Sequence, residues 1–447
     1  MAQRNRLDLP QTRPPAILRP FAEFFRLEAA GGILLLLAAA SALILANSPL
    51  GPTYFGFWST SFTVGGGEWA ITKPFVLWVN DGLMAVFFFV VGLEIKREIV
   101  IGELSSFRKA VVPIMAAVGG MAVPALIYLA FNAGQPSARG WGIPMATDIA
   151  FALGILALMS KGAPLGLKIF LTAVAIIDDI GAVLVIALFY TSKVSVTALG
   201  IGAGILFILA VLNRVGIRSP HPYALLGIVL WLAVLKSGVH ATVAGVVLAF
   251  FIPSQRALDE KTFLDHARAM LKMFEEGGPS PGPMPSMTQR HAIQSLDCLA
   301  RAAEAPLALL ESRLHPWVVF FVIPLFAFAN AGVTVEAGTS GLFQDPVMLG
   351  VSLGLFLGKP IGVLGFTWIA VRARMGSLPA GVGWTQIAGA AALCGVGFTM
   401  SLFIGGLAFE LPAYVAHAKV GILLGSALSA VLGGALLRMG RKEQPAA

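Results

Sequence analysis

The chain has 447 residues, 57% of them hydrophobic and only 12% charged, with a net charge of +8 and a mean hydropathy of +0.83. A water-soluble domain has no way to hide that much apolar surface, so lipid must cover a large share of it. The positive balance does not point to nucleic acid, because the basic residues are spread through short connections and form no single face. The two cysteines, Cys298 in a polar segment and Cys394 in an apolar one, argue against a disulfide framework and a thiolate metal site.

Residues 1–28 carry basic side chains but no short apolar core with a small-residue cleavage site, and read as a retained cytoplasmic tail. Apolar runs of roughly span length, bounded by charge or Pro, then follow through an all-α membrane domain over 29–437. Twelve spans are expected: 29–46, 75–94, 110–131, 143–160, 167–190, 195–213, 222–236, 238–252, 316–333, 346–371, 384–404 and 412–437, with a cytoplasmic tail at 438–447. After the first, TYFGFWSTSFTVGGGEWAITKP sets β-prone residues around a Gly-Gly-Gly-Glu turn, which predicts an extracytoplasmic hairpin at 54–72 able to pair with a copy of itself in a homodimer. The polar segment 253–315, with GGPSPGPMPS at 277–286, reads as a cytoplasmic insertion, disordered between two short helical stretches.

Charge sets the orientation. Of the 31 Lys and Arg residues, 25 fall in the tails and alternate connections, and only Lys73, Arg139, Lys193, Lys236 and Lys419 fall in the others. That bias places both ends in the cytoplasm and the number of spans at an even value. The remaining basic residue, Lys359, lies mid-span.

An ionisable group at the centre of a bilayer costs about 2.5–3.5 kcal/mol on the lowest scales, so each one needs a reason. Five stand out: Asp81, Asp148, Asp178, Asp179 and Lys359. Asp178 and Asp179 lie midway along LKIFLTAVAIIDDIGAVLVIALFY. Adjacent carboxylates in a dry site repel, so at least one takes up a proton when no cation is present. A sodium ion is a hard cation that prefers oxygen ligands, so its binding displaces protons, and that competition is the core of an antiport mechanism. Lys359 precedes Pro360 and needs a carboxylate partner, either Asp178 or Asp148. Pro144 followed by Thr147 and Asp148 is a helix-start signature inside a span, and CGVGFTM places Gly395 and Gly397 inside another. Paired interruptions of this kind point to a transporter site. Two other readings use the same acids: a cation channel with an acidic ring, and an intramembrane aspartyl protease using Asp148 with Asp178, which leaves Asp179 without a role.

Seven strings carry a resemblance. They are NDGLMAVFFFVVGLEIKREIVIGEL at 80–104, ATDIAFALGILAL at 146–158, AVAIIDDIGAV at 173–183, LKSGVHATVAG at 235–245, LHPWVVFFVIPLFAFANAGV at 314–333, LGKPIG at 357–362 and CGVGFTMSLFI at 394–404. On these the chain resembles the NhaA family of bacterial sodium/proton antiporters. The resemblance implies inverted repeats and two interrupted helices, Thr147-Asp148 in one and Gly395 to Thr399 in the other, crossing near the membrane centre. It implies that Asp178 and Asp179 bind Na+ or Li+, that Thr147 contributes, and that Asp148 and Lys359 offset helix-end dipoles. It also implies a pH-sensing cluster of Glu94, Arg97, Glu98, Glu311 and His315, although Ser312 and Arg313 follow Glu311 where some members carry a histidine. Asp81 and His240 match family positions too. The implied activity is pH-regulated, electrogenic Na+(Li+)/H+ antiport in the bacterial inner membrane by alternating access, with no cofactor besides the transported ions.

Overall fold

The computed structural model describes residues 30–66, 70–159, 163–191, 195–256, 258–278, 284–334 and 344–442. The expected N-terminal tail, Gly67 and Glu68 of the hairpin turn, and the chain beyond 442 lie outside these residues. A backbone surrounded by lipid must satisfy its own N–H and C=O groups, and the apolar runs accordingly fold as helices.

Helix α1 (Ala30–Ala46) is followed by α2 (Gly51–Ser59), bent from it by 112°. Strands β1 (Ser61–Val64) and β2 (Ile71–Pro74) pair antiparallel, with Ser61 opposite Pro74 and Val64 opposite Ile71. Then come α3 (Phe75–Val100), α4 (Phe107–Asn132), a 3-10 segment (Pro136–Met145), α5 (Ile149–Met159), α6 (Leu165–Phe189), α7 (Val196–Val215), α8 (Pro220–Ser237) and α9 (Thr242–Phe251). Two polar helices follow, α10 (Glu260–Glu276) and α11 (Met287–Ala303). The chain re-enters the bundle with α12 (Pro306–Asn330), α13 (Pro346–Arg372), α14 (Trp384–Cys394), α15 (Phe398–Ala408) and α16 (Pro412–Lys442).

Among the described residues, nine helical segments, α14 with α15 counted as one, are long and apolar enough to cross a membrane, or up to eleven if each bent pair is one span. The expected number of twelve spans is not confirmed by length and composition, and the remaining apolar helix, Thr242–Phe251, is too short for that test. The segment expected at 238–252 is a ten-residue helix, only about 15 Å long, half the thickness of a hydrocarbon core. The segment expected at 143–160 begins earlier, at Pro136, as a 3-10 segment bent by 44° from α5.

Three other expectations need correction. The hairpin is shorter than 54–72, because Pro52 starts a helix and Tyr54 and Trp58, four residues apart, bury one face of it against Phe328. The two helical stretches expected in the insertion are present, and residues 279–283 of the stretch between them lie outside the described residues. The two helices have 17 residues each, the second opened by a capping box in which Ser286 and Gln289 satisfy each other's backbone N–H groups. Residues 306–315 belong to α12, not to the insertion. Finally, α16 runs to Lys442, through the start of the expected C-terminal tail.

Span α14–α15 is almost wholly buried and occupies the middle of the bundle, while α7 and α8 bury about a quarter of their surface and lie at the periphery. Among the described residues, three helices carry a π-turn, at Val79–Leu83, Val318–Val322 and Gly354–Gly358. Such turns re-aim the side chains that follow and are frequent at functional sites. The first contains Asp81 and the third immediately precedes Lys359.

Candidate cation site

Consecutive residues on a helix point about 100° apart, so Asp178 and Asp179 meet different surroundings. Asp178 is fully buried, and its Oδ2 accepts from Lys359 Nζ at 2.5 Å, which settles which carboxylate partners the lysine. The Lys359 side chain is also fully buried and packs where α13 crosses the small residues Gly119 and Gly120 of α4. Thr147 Oγ1 lies 2.8 Å from both Asp178 Oδ2 and the Cys394 carbonyl, and its one proton serves one of them at a time. Asp179 turns instead toward a cavity of about 150 Å³ that it lines together with Asp148, Thr399, Glu94 and His315. Asp178 Oδ1 and Asp179 Oδ1 are both buried without a hydrogen-bond partner. Buried polar atoms are nearly always satisfied, so two adjacent orphaned carboxylate oxygens call for a ligand.

The two interrupted spans meet beside this pair. The Asp148 N–H donates to the Val396 carbonyl at 2.7 Å, and Ser401 Oγ donates to the Ile143 carbonyl at 2.7 Å. Asp148 caps both half-helices that start here: its Oδ1 accepts from Phe151 N at 3.0 Å, and its Oδ2 accepts from Thr399 N at 3.1 Å and Thr399 Oγ1 at 2.5 Å. One buried anion thus faces two positive helix ends. Gly397 has no unusual backbone angle, and its need is space, since a Cβ there would sit 2.9 Å from the Ala146 carbonyl. Gly395 is pressed in the same way against the Leu355 carbonyl and Ser429, and Pro144 against Gly354. The carboxylates of Asp148 and Asp178 have separate partners, an arrangement without the shared proton of an aspartyl dyad.

The five residues of the expected pH-sensing cluster also come together, at one end of α3 and α12. Arg97 pairs with Glu311 and, at 3.1 Å, with Glu98, while His315 Nδ1 lies 3.2 Å from Glu94 Oε1. Because Glu94 and His315 line the same cavity as Asp179, this cluster stands at the mouth of the space leading to the aspartates.

Thr399 is the functional candidate that sequence reasoning left out of the site itself. Its signal was present in CGVGFTM, where a hydroxyl residue follows a glycine at a helix start, but the acceptor lies 251 residues away.

Comparison with known proteins shows the family. A family model described as Na+/H+ antiporter 1 matches residues 22–437. Similar proteins include a Na(+)/H(+) antiporter NhaA of Oleidesulfovibrio alaskensis, 49% identical over 98% of this chain and 99% of its own length. The antiporter NhaA of Koribacter versatilis is 48% identical over 96% of this chain and 94% of its own length. The antiporter NhaA 2 of Shewanella denitrificans is 50% identical over 91% and 92%. With the match running from before the first described helix into the last, this multi-pass membrane protein belongs to the Na+/H+ antiporter 1 family.

Proposed function

We propose that this chain exchanges Na+ or Li+ for protons across the bacterial inner membrane by alternating access, with Asp178 and Asp179 as the cation ligands. The observation that carries the reading is the pair of orphaned carboxylate oxygens beside a buried lysine. In the cation-free state the Lys359 ammonium supplies the charge that Asp178 lacks, and Asp179 holds a proton. A sodium ion entering from the cavity takes the free oxygens of both aspartates. Asp179 gives up its proton, the Lys359–Asp178 pair opens, and the freed lysine sheds a second proton while it has no counter-ion. Two protons for one sodium make the cycle electrogenic, and the inside-negative potential then contributes about 2.3 kcal/mol per charge per 100 mV to extrusion.

Thr147 adds a hydroxyl oxygen at the site, and Asp148 holds the crossing of half-helices in register. The Glu94, Arg97, Glu98, Glu311 and His315 cluster sets the pH response at the cytoplasmic mouth, with both chain ends on that side. The fully exposed strand β1, with Phe62 and Val64 open to solvent, is the edge through which a second copy pairs.

The experiment is sodium-dependent proton flux in vesicles. Asp178→Asn and Asp179→Asn each abolish it while the protein stays folded. Retained flux in both variants removes the assignment, and sodium flux that runs without a proton counter-gradient makes the protein a channel.

A further inference from the structure

Neither the site nor the pH cluster uses Asp81, a buried carboxylate with a cationic partner of its own. It sits in the π-turn of α3, about 20 Å along that helix from Glu94 at 1.5 Å per residue. Its Oδ2 accepts from Lys73 Nζ at 2.5 Å, its Oδ1 lies 3.8 Å from His240 Nε2, and its backbone carbonyl accepts from Trp231 Nε1 at 2.9 Å. Lys73 belongs to strand β2, so an element outside the helical bundle delivers the ammonium that fills this carboxylate.

Between this cluster and the cation site lies an aromatic seal. On α15, Thr399 and Phe403 are four residues apart and share a face, and Thr399 touches Asp148. The Phe403 ring packs against Phe88 at 5.5 Å, Phe326 at 6.1 Å and His240 at 5.3 Å, and the three phenylalanines are buried. On α3, Phe88 follows Asp81 by seven residues, on the same side of the helix. A cation leaving the site away from Glu94 therefore meets Phe403 one turn on, and His240 and Asp81 directly behind it.

We propose that Asp81 is a second binding carboxylate for the transported monovalent cation, reached when the Phe88, Phe326 and Phe403 seal opens, and that Lys73 is the tethered cation that occupies it while the seal is closed. This rests on the exchange reading given above. An ammonium in hydrogen-bond contact with the carboxylate neutralises its charge and repels a second cation, so the two compete. Because the lysine rides on the hairpin, a shift of the hairpin that lifts Phe62 from Phe75 and Trp78 of α3 frees the carboxylate. A merely structural ion pair at this place contributes little over apolar packing of similar volume, and the half-buried lysine leaves that alternative open to test.

The test measures the half-saturating Na+ concentration for exchange from each face, using oriented vesicles of opposite sidedness. Lys73→Met removes the competitor, and lowers the ratio of the Asp81-face value to the Glu94-face value by about fivefold or more; Asp81→Asn raises that ratio by a similar factor. The double variant, which strands neither charge, follows Asp81→Asn and carries the measurement if the single one does not fold. A ratio unmoved in the variants, or moved in the same direction by Lys73→Met and Asp81→Asn, overturns the inference. Absence of exchange in the wild-type vesicles overturns the exchange reading instead.

Discussion

Asp148→Ala removes the only side chain among the described residues that joins the two interrupted spans through both of their helix starts. Three donors lose their acceptor: Phe151 N, Thr399 N and Thr399 Oγ1, all buried. A lost N-cap costs about 0.5–2 kcal/mol, and a buried donor left without a partner about 1–3 kcal/mol. The hydroxyl is free to rotate toward another acceptor, so two stranded N–H groups dominate and the expected loss is about 3–4 kcal/mol. Asp148→Asn keeps one carbonyl oxygen for one N–H, and loses the charge that faces two helix ends, a term worth up to about 2 kcal/mol in a partly buried setting. Thermal unfolding of purified protein in detergent should therefore rank wild type above Asn and Asn above Ala. Equal stability of the Ala variant and wild type would refute the capping argument, and a loss as large in Asn as in Ala would show that charge alone, not hydrogen bonding, holds the crossing.

Replacing Lys359 with Ala leaves Asp178 buried without its cation and costs about 3–5 kcal/mol, whereas the double Lys359→Ala/Asp178→Asn costs much less than the two single changes together; additive losses in a double-mutant cycle of thermal stability would show that the pair is not coupled. Gly397→Ala drives a Cβ into the Ala146 carbonyl and abolishes exchange, while Gly365→Ala, where nothing lies within 4 Å, leaves it intact; an active Gly397→Ala protein contradicts the close crossing. His315→Asn removes the titrating partner of Glu94, and the pH profile of exchange in vesicles becomes shallower than that of wild type; an identical profile excludes His315 from the pH response.

The sequence makes some layers of this structure plain and hides others. Apolar run length marks the helices because lipid penalises an open backbone, and the cost of a buried charge singled out Asp178, Asp179, Asp148 and Lys359 before any geometry was known. The choice of Asp178 over Asp148 as the partner of Lys359 depends on two residues 181 positions apart, and no local pattern encodes it. The double capping by Asp148 was half visible. Its own helix start showed in the order Pro, Thr, Asp, but the second helix start belongs to a segment some 250 residues on. Short irregular elements were least legible. The prolines and glycines of Pro136–Met145 weaken an α-helix there but do not specify a 3-10 one, and the π-turn at Val318–Val322 is made of residues no different from those of the helix around it. Helix α2 was hidden for a related reason, since its aromatic residues favour strands in isolation and become helical by burying Tyr54 and Trp58 on Phe328.

The central claim is that sodium and protons compete for the same two carboxylates. Equilibrium binding of Na+ to the purified protein, titrated at a series of pH values, tests it most directly. Each proton released on binding weakens the apparent affinity about tenfold per pH unit below the range in which the empty site holds it, so the account predicts a fall of one to two decades per unit on acidification. Sodium affinity that stays the same across that range would contradict it.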